Sequence, residues 1–278
     1  MKSVITAAGK GTRLLPVTKE LPKEMLPIFS RSSNGDKIMI PILQLIFEDL
    51  YKNGIKNYCF IVGRGKRSIE DHFTLDFLYQ TQLPLIQRKL FNSFYKKILK
   101  SNLIWINQDK PLGFGDAVKK SESYIGNDDF IVHGGDVSIF SKTNSTISRL
   151  MKTYDENPSA SAILLCKKIK NPKNYGVPEL VKISNSLFSV TDVDEKPIKP
   201  KSNYGLLPCY IFKPIIFKYL HKIKRGKNNE YQLTDAIKKL ISDGHKVLAI
   251  PIGSSEFELD VGNVQSYYDA LNLSFKKC

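Results

Sequence analysis

No apolar run in this 278-residue chain approaches the ~18 consecutive residues of a membrane-spanning helix, so the sequence offers no membrane anchor. The chain enters an apparent strand almost at once, which leaves no room for a secretory signal. Cysteine is sparse. Cys59, Cys166, Cys209 and Cys278 show neither metal-type pairing nor the density of a disulfide framework, and they read as reduced thiols of a cytoplasmic protein. No motif offers a poised histidine or a Ser–His pair, which argues against catalysis by a nucleophilic triad. Familiar phosphate loops are missing as well. A Walker loop needs G-K-S/T after four intervening residues, and a dinucleotide fingerprint would need a third glycine at Leu14. Zinc-finger spacing and RNP-type aromatic–basic interleaving are also absent, so nucleic acid is not the expected partner.

Acidic residues are in short supply. Lys and Arg number 42 against 27 Asp and Glu, for a net charge of +15. Between Leu165 and Lys227 fourteen cations face four carboxylates. Such a field attracts polyanions, among them nucleotides and sugar phosphates. With 42% hydrophobic and 25% charged residues, the chain is globular and long enough for one large α/β domain or two small ones.

The most informative stretch runs from Gly9 to Pro27, G-K-G-T-R-L-L-P-V-T-K-E-L-P-K-E-M-L-P. It follows an apolar strand, Val4 to Ala8. Two close glycines let the backbone turn and approach a ligand without Cβ interference. Arg13, Lys19 and Lys23 then add cations, a combination suited to polyphosphate. A basic, proline-rich surface loop is the plainer alternative, although a structureless loop of this length is more often functional.

The remaining chain alternates strand and helix and predicts a parallel sheet with right-handed crossovers. Helices are expected over Ile38–Gly54, from Ser68 with Asp71, over Asp76–Ser101 with a break at Pro84, over Asp116–Tyr124 and over Asn144–Tyr154. Strands are expected at Asn57–Val62, Asn102–Asn107 and Asp129–His133, with His133 packing inside its strand. The stripe Phe77, Leu78, Leu85, Leu90, Phe94 and Ile98 suits a sheet cover or an oligomer interface. Gly63-Arg64-Gly65-Lys66 reads as a strand-to-helix turn. Gln108, directly after Asn102–Asn107, carries a donor and an acceptor that could read a pyrimidine edge. Asp136 follows Gly134-Gly135 at a strand end, where it serves either as a turn residue or as a metal ligand. From Ala160 the texture shifts to strands at Ala160–Cys166, Glu179–Ile183, Leu187–Val193 and Tyr204–Phe212. A helix from Glu230 to Ser242 and a strand ending at Asp260 follow.

The Gly9–Pro27 stretch resembles the signature of the sugar-1-phosphate nucleotidyltransferases. Its ending P-K-E-M-L-P, Pro22 to Pro27, is similar to the uridylyl branch, the bacterial-type UTP–glucose-1-phosphate uridylyltransferases, more than to the thymidylyl one. The segments around Gln108 and Gly113, Asp136, Tyr175-Gly176, Glu195-Lys196-Pro197, Glu230–Ala236 and Asp260 extend the resemblance over nearly the whole chain. It is weakest at Ser30–Asp36 and Asp76–Ser101. Two positions depart from the family pattern. Glycines precede Asp136 where leucine or proline is usual, and Pro208 stands where glycine is common.

The resemblance implies an α/β fold with a Rossmann-like, mostly parallel central sheet flanked by helices and a mixed-strand sugar-binding extension. It implies one domain, with residues 1–158 as the nucleotide half and 159–278 as the sugar-phosphate half. The implied reaction joins UTP and glucose-1-phosphate into UDP-glucose and pyrophosphate, with Mg²⁺ held by Asp136 and Asp260. Arg13, Lys23, Asp136 and Lys196 would be catalytic. Ala8, Gly9, Gly11, Thr12, Glu24, Gln108 and Gly113 would bind the nucleotide, and Tyr175, Gly176, Glu195 and Lys196 the sugar phosphate. The family includes dimers and tetramers, so a homo-oligomer is expected. A thymidylyl or dual UTP/dTTP enzyme and a non-catalytic nucleotide-sugar-binding subunit are the alternatives.

Overall fold

The computed structural model describes the chain except residues 33 and 142–144, and the side chains of residues 79, 80 and 86 in addition. β1 (Lys2–Ala7) leads through three short 3₁₀ turns into a hairpin of β2 (Pro27–Arg31) and β3 (Lys37–Pro41), followed by α1 (Ile42–Lys52). The helix expected from Ile38 therefore starts later. Ile38 pairs with Ser30 and Pro41 with Pro27, and Pro41 stands outside the helix at ψ 141°. Short apolar runs do not distinguish strand from helix by periodicity, and here a cross-strand partner decides. Gly54, at φ 86°, carries the chain past the end of α1.

β4 (Asn57–Val62) precedes α2 (Arg67–His72), α3 (Phe77–Gln82), α4 (Leu85–Leu99) and β5 (Asn102–Asn107). Pro84 separates α3 from α4, as its missing N–H dictates. Ser68 does not cap α2. Lys66 holds that position, and the Ser68 hydroxyl is buried without a partner. Of the apolar stripe, Phe94 and Ile98 are buried, whereas Phe77, Leu78 and Leu85 are exposed. The helix expected over Asp116–Tyr124 is split into α5 (Phe114–Lys119) and α6 (Glu122–Ile125). Then come β6 (Phe130–Gly134), β7 (Val137–Ser141) and α7 (Thr146–Asp155). Ser145 caps α7 by accepting from the Ile147 N–H, and residue 144, where that helix was expected to begin, lies outside the described residues.

The remaining strands are β8 (Ala162–Lys168), β9 (Gly176–Ser184), β10 (Leu187–Glu195), β11 (Tyr204–Phe212), β12 (Val247–Pro251) and β13 (Glu256–Asp260). The helices among and after them are α8 (Ile216–Leu220), α9 (Leu233–Ser242) and α10 (Val264–Lys277). Nine strands form one sheet in the order β5-β4-β1-β6-β11-β8-β12-β10-β9. β5, β4, β1 and β6 run parallel, and the sheet becomes mixed from β11 onward. Both faces of β1 and β4 are covered. Ile5, Phe60 and Val62 enter one apolar cluster, while the intervening Val4, Cys59 and Ile61 enter the other. β13 leaves this sheet to pair with β7, and α10 packs against it and β2, with the Tyr267 hydroxyl donating to the Pro27 carbonyl at 3.0 Å.

Candidate active site

A cleft of about 880 Å³ lies along the carboxyl ends of β1 and β6, where open α/β sheets bind ligands. Ala8, Gly9, Gly11, Thr12, Arg13, Lys23, Glu24, Gln108, Gly113, Asp136, Tyr175, Gly176, Glu195 and Lys196 all line it. Asp260 stands behind this wall, and Gly262, two residues on, reaches it. The residues singled out in the sequence thus come together around one space, although they are scattered from residue 8 to residue 260.

The loop after β1 is held open by its own contacts. Gly11 is left-handed at φ 67°, and its carbonyl accepts a 2.7 Å hydrogen bond from the Thr18 hydroxyl. A Cβ on Gly9 would lie 3.3 Å from Lys23 Cε, so this glycine leaves the lane in which the lysine side chain runs. Lys23 ends on the Asp136 carboxylate in a largely buried ion pair. Burial opposes both charges, but the pairing outweighs it. Asp136 is held below the usual carboxylate range by Lys23, and Lys23 is held above its ordinary value by Asp136 and Glu24.

Asp136 occupies the two-residue turn between β6 and β7. The Val261 N–H donates to its carbonyl at 3.0 Å, and Val137, the next residue, pairs with Asp260 across the β7/β13 ladder. The two aspartates are therefore neighbours by backbone register. Burial, and then the Asp136 charge, push the Asp260 carboxyl upward, against the Gly262 N–H that donates to it at 2.7 Å. Two crowded carboxylates of this kind suit a hard divalent cation, which relieves their repulsion. Among the described residues no group of three or more His, Cys, Asp or Glu side chains forms a metal cage. An ion held here would complete its shell with phosphate and water oxygens, the habit of Mg²⁺.

Sequence reasoning missed Lys66. The glycine-flanked loop is the expected strand-to-helix turn, yet it buries this lysine, which donates to Glu24 at 2.7 Å. Glu24 is only 1% exposed, and burial raises its carboxyl despite Lys66 and Lys23 nearby. A single lysine in a basic loop gives no sequence signal of such a pairing.

At the far wall, Gln108 is 4% exposed and donates through Nε2 to Asp116 at 2.7 Å and to the Gly113 carbonyl at 3.2 Å. A Cβ on Gly113 would come within 2.8 Å of the Tyr231 carbonyl. The E-Y-Q-L-T-D-A motif packs here, with Tyr231 donating to the Leu112 carbonyl at 2.8 Å and accepting from the Gly115 N–H at 2.9 Å. Its Thr234 also donates to Glu195 at 3.0 Å, so one motif contacts both the Leu112–Gly115 turn and Glu195. Arg225, Asn228 and Asn229 border the cleft too and were not read from sequence. The signal was the Asn-Asn pair, since both adopt φ near 57–58°, a region asparagine tolerates better than most residues.

Beside Tyr175, Lys196 has φ 46°, its N–H donates to the Tyr175 carbonyl at 2.9 Å, and its ammonium lies 3.4 Å from Glu195. Pro208, on β11, and Gly134, at the end of β6, both line the floor.

A parallel-rich sheet of this order, with Arg13, Lys23, Lys196 and Arg225 lining a cleft at its strand ends, suits a phosphorylated ligand. The profile of the nucleotidyl transferase family matches residues 2–276, and the chain belongs to that family. A UTP–glucose-1-phosphate uridylyltransferase 2 of Streptococcus pyogenes is 36% identical over 248 residues, which cover 86% of this chain and 79% of that protein. A putative UTP–glucose-1-phosphate uridylyltransferase of Methanocaldococcus jannaschii is 29% identical, covering 97% of this chain and 91% of the relative. A crystal structure of UDP-glucose pyrophosphorylase complexed with UDP-glucose superimposes with a TM-score of 0.88 at 29% identity, covering 100% of this chain and 99% of that one.

Proposed function

We propose that this chain transfers the uridylyl group of UTP to glucose-1-phosphate, giving UDP-glucose and pyrophosphate. The observation that carries the reading is one cleft lined by both the Arg13–Lys23 cation loop and the Glu195–Lys196 pair. A phosphate oxygen of the sugar phosphate attacks the α-phosphorus in line. The new P–O bond forms as the bond to the β-phosphate oxygen breaks, and pyrophosphate leaves with that electron pair. The nucleophile is already anionic, so no general base is required, and the task is to bring two polyanions together. Arg13 neutralises the departing pyrophosphate, Lys23 the α-phosphate region and Lys196 the attacking phosphate. Asp136 and Asp260 would hold Mg²⁺, which supplies further charge neutralisation when bound. Ala8, Gly9, Gly11, Thr12, Glu24, Gln108 and Gly113 bind or shape the nucleotide site, and Tyr175, Gly176 and Glu195 the sugar site.

Residues 1–158 then serve as the nucleotide half and 159–278 as the sugar-phosphate half of a single domain. Four buried free thiols suit a reducing, cytoplasmic setting. The exposed Phe77, Leu78 and Leu85 support a homo-oligomer, a dimer or a tetramer. An amide contact does not sense a ring methyl, so dTTP is expected to be used beside UTP. The test is pyrophosphate release over a grid of nucleoside triphosphates and sugar-1-phosphates. UTP with glucose-1-phosphate should give the highest turnover. No release from any UTP pairing would overturn the reading.

A further inference from the structure

The Gln108 amide is a reader with two possible faces. Its NH₂ donates and its oxygen accepts, and exchanging them reverses what it recognises. Both N–H bonds are spoken for in this fold, one by the Gly113 carbonyl at 3.2 Å and one by Asp116 Oδ2 at 2.7 Å. The Gln108 backbone is pinned as well, its N–H donating to the Val62 carbonyl at 2.7 Å. A carboxylate oxygen and a backbone carbonyl both accept, so Asp116, at the shorter distance, and Gly113 together oppose the flipped amide. Asp116 lies in α5, behind Gln108, and does not line the cleft.

We infer that Asp116 is a positioning residue for base choice: it locks Gln108 with its oxygen as the group offered to the nucleobase. This rests on the uridylyltransferase reading and deepens it. An acceptor set opposite ring N3 meets the N–H of uracil or thymine. In cytosine it meets a lone pair. The residue that distinguishes UTP from CTP is then one that never touches either. The pairing is legible only in three dimensions, because Gly113 and Asp116 become partners of Gln108 through the turn that joins β5 to α5.

The test compares kcat/KM for UTP and CTP, with glucose-1-phosphate saturating, in the native protein and in three variants. Asp116→Asn can donate to Gln108 Oε1, which leaves only the longer Gly113 contact holding the amide against the flip. The UTP:CTP ratio should fall at least about tenfold, the scale of one mismatched buried polar contact. Asp116→Ala removes the shorter of the two contacts without rewarding the flip, so the ratio should fall through loss of UTP use and not through gain of CTP use. Asp116→Asn combined with Gln108→Glu restores an acceptor-only reader, and the ratio should rise again above that of Asp116→Asn alone. Thermal unfolding of each variant accompanies the kinetics, because a merely structural role would shift the melt and leave the ratio alone. An Asp116→Asn protein that folds, turns over UTP and keeps the native ratio overturns this inference and leaves the functional reading standing. A native protein that uses no UTP overturns both.

Discussion

Gly134 and Pro208 share one space: a Cβ on the glycine would stand 2.9 Å from Pro208 Cγ and 3.4 Å from Asp136 Oδ1. Both residues looked like isolated departures in the sequence, a glycine where bulk is usual and a proline where glycine is usual. On adjacent strands they are complementary, and the ring on β11 fills what β6 leaves empty. Gly134→Leu should overpack the floor at a cost of about 1–3 kcal/mol and depress turnover. Adding Pro208→Gly should recover part of both. A double-mutant cycle on thermal unfolding measures the coupling, and simple additivity would separate the two positions.

Lys66 should matter out of proportion to its place in a surface-like loop. Lys66→Met leaves Glu24 buried without its nearest cation, and losing one member of such a pair costs about 3–5 kcal/mol. Lys23 is the other cation acting on Glu24, so it should be drawn from Asp136 and turnover should fall as well. Glu24→Gln on top of Lys66→Met removes the orphaned charge and should restore much of the melting temperature. Urea unfolding of the two variants decides, and equal stability would show that the pair is not the cause.

Removing divalent metal should silence the enzyme. EDTA is expected to stop pyrophosphate release, and Mg²⁺ to restore it. Asp260→Asn should lower turnover by about 10²-fold or more, since a bound cation contributes several kcal/mol of charge stabilisation. Its melting temperature should hold or rise, because burial and the Asp136 charge already disfavour the Asp260 carboxylate. Activity persisting in EDTA would dismiss the metal.

A pH effect should arise at His72, which does not line the cleft. Burial lowers His72 from 6.5 to about 4, against the opposing pull of Glu48, and its Nε2 lies 2.9 Å from Gln44 Oε1. The unfolded chain therefore binds the proton first as pH falls. The stability is fully present above pH ~6.5 and is lost progressively toward pH ~4, by up to about 3 kcal/mol. His72→Phe should flatten that part of the profile. Melting curves of both proteins between pH 7 and pH 4 test it, and parallel curves would exclude His72.

Asn57–Val62 was legible because burial on both faces leaves an unbroken apolar run, and its bounds are those its composition suggests. Asn102–Asn107, at the sheet edge with Ile104 41% exposed, has the expected bounds through its Leu-Ile-Trp-Ile run and not through burial. Ile38–Pro41 was misread because the residue that makes it a strand lies in β2, outside any local window. The placement of Arg13, Gln108 and Lys196 around one cleft followed motifs that bring their own turns. Lys66 and Asp116 carry no such motif. Each becomes specific only through one partner, Glu24 or Gln108, brought near by the fold.

The β7/β13 pairing also gives the site a history. A ribosome releases the chain from its N-terminus, and the glycine loop, Lys23 and Asp136 emerge long before β13. On the proposed assignment, a nascent polypeptide stays inert toward its substrates until the strand bearing Asp260 has been translated and docked. Products cut short before Asp260 then cannot consume nucleotide, and activity itself certifies that synthesis passed β13.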